Sequence, residues 1–234
     1  RYLMATDDLD ACLAELLALA QQRPNWGLVQ FELAELWTRK DNLDAALPHL
    51  KRAMSSDDVA LESKLRVLLG YGLLAQEDAS YRDAYSTLLE RMMAAHGEEP
   101  AVVELACDWA YQNDALEAAL DLALLLLELA PGSVETWTNL MAIRVDLRQW
   151  APMAADAESA IARFPLDPLL YYYQGLALGE TGQHELAVKA YEGGLNVVLD
   201  NPMLEGALAS ALASALREVN DLDQSEVALS LIHI

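Results

Sequence analysis

From Asp167 to Leu195 apolar positions recur at helical spacing in two runs, joined by a turn centred on Gly182. Small residues stand at Gly175, Ala187 and Gly194, and large ones at Tyr171, Leu178 and Tyr191. Small residues let two helix backbones approach, while aromatics fill the neighbouring gaps. The pattern predicts a helix–turn–helix unit with one tightly packed seam.

The unit recurs. A shift back of 34 residues sets Trp137 under Tyr171, Met141 under Gly175, Met153 under Ala187 and Ala160 under Gly194. Pro131 and Pro165 are also 34 apart, each closing a second helix. A further shift gives Val103, Cys107, Ala119 and Leu126, and Ala34, Ala46, Leu50 and Ala53 repeat the 12-4-3 spacing near the start. A fixed period of this length is the mark of a repeat array, in which each pair buries its apolar faces only against its neighbours.

An aromatic, a small residue four later, an Ala twelve further on and a closing Pro make this pattern resemble the tetratricopeptide repeat family. The resemblance runs along about the whole chain, strongest over 134–202 and weakest over 58–99. It implies an all-α fold, a right-handed α-solenoid of stacked helix–turn–helix repeats. The chain departs from the family where Met153 takes a small position, Arg144 a bulky apolar one and Ser225 a small one in the last unit. The phrases Arg163-Phe164-Pro165, Asp167–Gly175 and Val197–Asn201 are more specifically similar to exported multi-repeat tetratricopeptide proteins of Bacteroidetes-type bacteria. That narrower likeness implies a leader upstream, further repeats downstream and an exported or periplasmic location.

The expected organisation is a single array over 1–229. A leading helix at about 7–23 precedes repeats at 24–57, 58–99, 100–133, 134–167 and 168–202, and a truncated repeat covers 203–229. Asp7, Ser133 and Asp167 suit helix starts, with Pro168 at the first helical position. Asn42, Gly182 and Asn220 suit turns. Residues 230–234 (Ser-Leu-Ile-His-Ile) resemble translated sequencing-adaptor sequence and are expected to be a non-native tail, so the chain reads as a fragment.

Composition narrows the function. The chain has 234 residues, 15 Lys+Arg against 37 Asp+Glu, a net charge of −22 and 54% hydrophobic residues. It is acidic yet apolar enough to build a core, unlike a disordered acidic tail. Its Lys and Arg do not cluster along the sequence, which argues against duplex nucleic acid and anionic membrane as partners. The leucine run 122–127 is six residues long, far short of the roughly 20 a membrane span needs.

Catalytic signals are weak. His184-Glu185-Leu186-Ala187-Val188 starts like the helical zinc-protease motif, but Val188 stands where the second imidazole is required. Cys12 and Cys107 fall at small packing positions in separate repeats, which suits buried hydrophobes better than a disulfide or a nucleophile. Gly193-Gly194 and Gly70-Tyr71-Gly72 lack the context of a phosphate or dinucleotide loop. The acid pairs Asp57-Asp58 and Glu98-Glu99 suit turns and helix starts. The expectation is no enzyme, no catalytic residue, no metal and no cofactor.

In the family that this chain resembles, the first helices of successive pairs line a concave groove that takes a partner segment. Carried over by position, this implies Phe31, Glu35, Thr38 and Arg39, then Glu104, Asp108 and Tyr111, then Asn139 and Asp146, then Tyr172. The expected partner-binding residues are Phe31, Glu35, Glu104, Asp108, Tyr111, Asn139 and Tyr172. Such a lining suits a basic or amphipathic peptide or protein segment, with charge setting the encounter and aromatics the affinity. The same residues also fit a solvated acidic face with its aromatics in packing, and the sequence leaves both open. A protein–protein interaction scaffold is the expected function. The alternatives are an accessory domain of a longer enzyme or signalling protein, and an array that stacks end to end on itself.

Overall fold

The computed structural model describes residues 9–219, all of whose regular structure is helical. Twelve α-helices follow one another: α1 (Leu9–Gln22), α2 (Gly27–Arg39), α3 (Leu43–Met54), α4 (Leu61–Glu77), α5 (Arg82–His96) and α6 (Pro100–Gln112), then α7 (Leu116–Leu129), α8 (Val134–Asp146), α9 (Trp150–Arg163), α10 (Pro168–Glu180), α11 (His184–Val197) and α12 (Pro202–Glu218). Asp7, Asn220, Ser225 and the 230–234 tail lie outside the described residues.

Local chemistry sets the helix starts. The Ser133 hydroxyl accepts from the Thr136 amide, and the Asp167 carboxylate accepts from the amides of Leu169 and Leu170. Asn42 and Asn201 cap α3 and α12 in the same way. Pro168 and Pro202 open their helices, where the missing amide costs nothing. Asp114, Arg148 and Gly182 stand in the tight turns that join α6 to α7, α8 to α9 and α10 to α11. Each has a left-handed backbone, with φ of 57°, 52° and 75°, and consecutive members are 34 residues apart. Asp41 (φ 55°) does the same between α2 and α3. The link between α4 and α5 differs: a 3-10 turn at Ala79–Tyr81, opened by an Asp78 cap, follows a first helix of 17 residues where most have 13.

The chain divides into two compact units, one ending at Ala106 and the other beginning at Cys107. In the first, Cys12 and Leu13 of α1 pack with Val29, Leu33 and Leu36 of α2. α2 packs on α3, and α3 also packs on α5. In the second, α8 to α12 each pack on their chain neighbour. There Trp137, Met141, Met153, Ala157, Ala160, Leu170 and Ala177 form one cluster, and Ala187, Tyr191, Leu208, Leu212 and Leu216 are among the residues of another.

The family departures have physical answers here. Met153 is fully buried, its flexible thioether filling the place of a small side chain. Arg144 is buried too, and Asp156 from the next helix neutralises it. Cys12 and Cys107 are both buried, and the Cys107 thiol donates to the Ala119 carbonyl.

Candidate functional site

The residues expected to bind a partner fall on both units. Phe31, Glu35 and Glu104 belong to the first, and Asp108, Tyr111, Asn139 and Tyr172 to the second.

In the first unit, the last two turns of α2 carry Glu35, Thr38 and Arg39 to the edge of an open cavity of about 450 Å3. Its walls are apolar: Leu43 and Leu50 from α3, and Val67, Tyr71 and Leu74 from α4. Burial, and then the neighbouring Glu32, raise the Glu35 carboxyl above its ordinary pKa, and Arg66 and Arg39 pull it back. A carboxylate at the mouth of an apolar cavity is partly desolvated, and Arg39 at the same mouth and Arg66 offset part of its charge. Phe31, one turn earlier, is half-buried, and Glu104 is exposed.

In the second unit, the Tyr111 hydroxyl donates to Asp146 Oδ2 at 2.6 Å. That hydrogen bond, with burial and the carboxylate charge behind it, pushes the phenol up to about 12. Tyr173 is close enough to feel Asp146 as well. Its phenol is raised by burial first, then by Tyr172 and Asp146. Burial likewise raises the Asp108 carboxyl. Asn139 is exposed two helical turns before Asp146 on the same face of α8. The structure therefore gathers Tyr111, Asp146 and Tyr173 into one acidic-aromatic patch.

Tyr172 is half-buried, its ring 6.2 Å from Tyr191 and 6.0 Å from Tyr173, and it packs against the cluster of α11 and α12. Tyr173 was not among the expected residues. It stands 34 residues after Asn139, so the period that placed Asn139 beside the groove positions would have found it. Among the described residues, no three His, Cys, Asp or Glu side chains are placed to hold a metal ion, and no helix is long and apolar enough to cross a membrane.

No protein-family profile matches the chain, and no curated protein sequence matches it. Solved structures do. MamA 41-end from Desulfovibrio magneticus RS-1 superposes with a TM-score of 0.62 at 14% identity, over 74% of this chain and 96% of that one. A MamA RS-1 double mutant gives 0.63 at 14% identity, over 74% and 95%. Another MamA crystal structure gives 0.62 at 13% identity, over 74% and 91%. The fold is of the tetratricopeptide type. Its class is all-α, that of α-solenoid helical repeats. At these identities the likeness speaks for the fold alone.

Proposed function

We propose that this chain is a non-enzymatic interaction scaffold that takes a basic or amphipathic segment of a protein partner on the faces of its first helices. The observation that carries the reading is the cavity of the first unit. An apolar space of about 450 Å3, with Glu35 partly desolvated at its edge, suits an aliphatic or aromatic side chain flanked by Lys or Arg. The Tyr111, Asp146 and Tyr173 patch of the second unit offers the same chemistry, since a guanidinium or ammonium can lie on a phenol face beside a carboxylate. Asp108, Asn139, Glu104, Phe31 and Tyr172 are proposed to add to these surfaces. The helical-repeat fold of the MamA neighbours is consistent with such a role. No observation favours the accessory-domain or self-stacking alternative.

Selection from a library of random short peptides on the whole chain tests this. Recovered sequences should combine Lys or Arg with an apolar anchor. They should lose most of their affinity for Leu74→Arg, which fills the cavity edge with a cation, or for a Tyr111→Ala/Asp146→Ala variant. Failure to enrich any sequence, or unchanged binding to both variants, would sink the reading.

A further inference from the structure

The Lys and Arg residues are scattered along the sequence, yet the first unit draws three of the fifteen into one place. Lys51 and Arg52 lie in the last turn of α3. Because α3 packs on α5, Arg91 meets them, and all three line an open cavity of about 490 Å3 with Asn25, Ser55 and Ser56. No acid lines it. Among the described residues none of the three cations has an ion-pair partner, whereas Lys40 and Arg144 each have a carboxylate partner.

Two of these cations sit where the negative end of a helix favours them. Arg91 does not, for it lies more than a turn before the end of α5. Arg52 also acts on its surroundings: burial first, and then the Arg52 charge, hold the His49 imidazole below its ordinary value. Glu90 adjoins Arg91 in the chain but does not line the cavity, and the two acids that follow α3 are engaged by other groups. Asp58 accepts the Ser56 hydroxyl and, at 3.4 Å, the Leu28 amide, and Asp57 and Asp58 both act on Lys64. More distant carboxylates of this acidic chain are screened within about 8–10 Å at physiological salt.

We propose that this cavity binds a phosphate monoester. A dianion with three terminal oxygens matches three cationic side chains better than a single carboxylate does. The Ser55 hydroxyl and the Asn25 amide can add neutral hydrogen bonds. The cavity has room for the group that carries the phosphate. It is separate from the apolar cavity at Glu35 and does not depend on the scaffold reading.

Titration calorimetry and phosphorus NMR on the whole chain, at constant ionic strength, test the site. The probes are inorganic phosphate, glycerol phosphate, a short phosphoserine peptide and its unphosphorylated twin. The variants are R52Q/R91Q and a charge-matched R82Q/R217Q control, each checked for its thermal midpoint in chloride. Phosphate probes should bind the parent and the control, and bind R52Q/R91Q about tenfold or more weakly, where tenfold is about 1.4 kcal/mol. A phosphopeptide that binds far more tightly than free phosphate assigns the group to a phosphorylated side chain. Equal binding assigns it to a small molecule. The proposal is overturned if no phosphate probe binds, if R52Q/R91Q binds as the parent does, or if the unphosphorylated peptide binds as tightly as its phosphorylated twin.

Discussion

Arg144 of α8 and Asp156 of α9 face each other inside the helix seam, Nε to Oδ2 at 2.5 Å. The approach is charge to charge and off the hydrogen-bond direction. The aligned hydrogen bond of this guanidinium runs instead from Nη1 to Gln149 Oε1, at 2.7 Å. An arginine thus occupies an apolar position because its neighbouring helix supplies the opposite charge.

Removing one partner should therefore cost more than removing both. Asp156→Ala leaves a buried guanidinium uncompensated and should destabilise by about 2–3 kcal/mol. That lies below the cost for a fully buried pair, because the Asp156 side chain is 26% exposed. Arg144→Leu/Asp156→Ala should lie within about 1 kcal/mol of the parent. Urea midpoints of the three chains settle the order, and equal costs for the single and double variants would refute it.

Lys64 is fully buried, its Nζ donating to the Ser56 carbonyl at 2.5 Å and lying 2.7 Å from His96 Nε2. An ammonium can only donate, so His96 Nε2 is the acceptor in the neutral imidazole. Burial, and then the Lys64 charge, lower the His96 pKa, while Asp57 and Glu99 oppose them. The unfolded chain then binds the proton first as pH falls through 6.5, so stability is intact above that value and declines below it. His96→Gln keeps an acceptor without the titration. Its thermal midpoint should drop less than the parent's between about pH 7.5 and about pH 5.5. Identical drops in the two chains would refute the assignment.

Gly175 lies where α10 meets α11. A Cβ there would stand 2.5 Å from the Tyr191 ring, which is itself buried. Gly175→Ala should destabilise by about 1–3 kcal/mol, the usual cost of overpacking. Adding Tyr191→Leu, which clears the ring, should cost less than the two single effects summed. Strict additivity in chemical denaturation would show that the two residues do not share this space.

The left-handed turns give a prediction of opposite sign. Arg148 holds φ 52° without being glycine, and Gly182 holds φ 75° at the equivalent place one repeat later. Arg148→Gly should stabilise the chain by about 0.5–1 kcal/mol, and Gly182→Ala should destabilise it by about 1 kcal/mol. A cap or side-chain contact at Arg148 worth more than its backbone strain would reverse the first result, and thermal melts read both.

The site was only partly legible. Glu35 and Tyr111 follow from position in the repeat, because the period says which face of a first helix a residue occupies. The period also marks Asp146 and the place of Tyr173, but that Tyr111 meets Asp146, and Tyr173 both, follows only once the spacing and rotation of α6, α8 and α10 are known. The apolar cavity at Glu35 likewise depends on where the long α4 lies beside α2 and α3.

Along the chain, the amino-acid sequence by itself determined the helices, their caps and the small seams. Ser133, Asp167, Gly182 and Gly175 act on backbone groups and turns within a few residues of themselves, or recur at a period that needs no coordinates to see. Tertiary structure decided which charges meet. The gathering of Lys51, Arg52 and Arg91, the burial of Lys64 against His96 and the pairing of Arg144 with Asp156 all cross from one helix to another. Charge acts through distance, and the distance between side chains on different helices is set by packing.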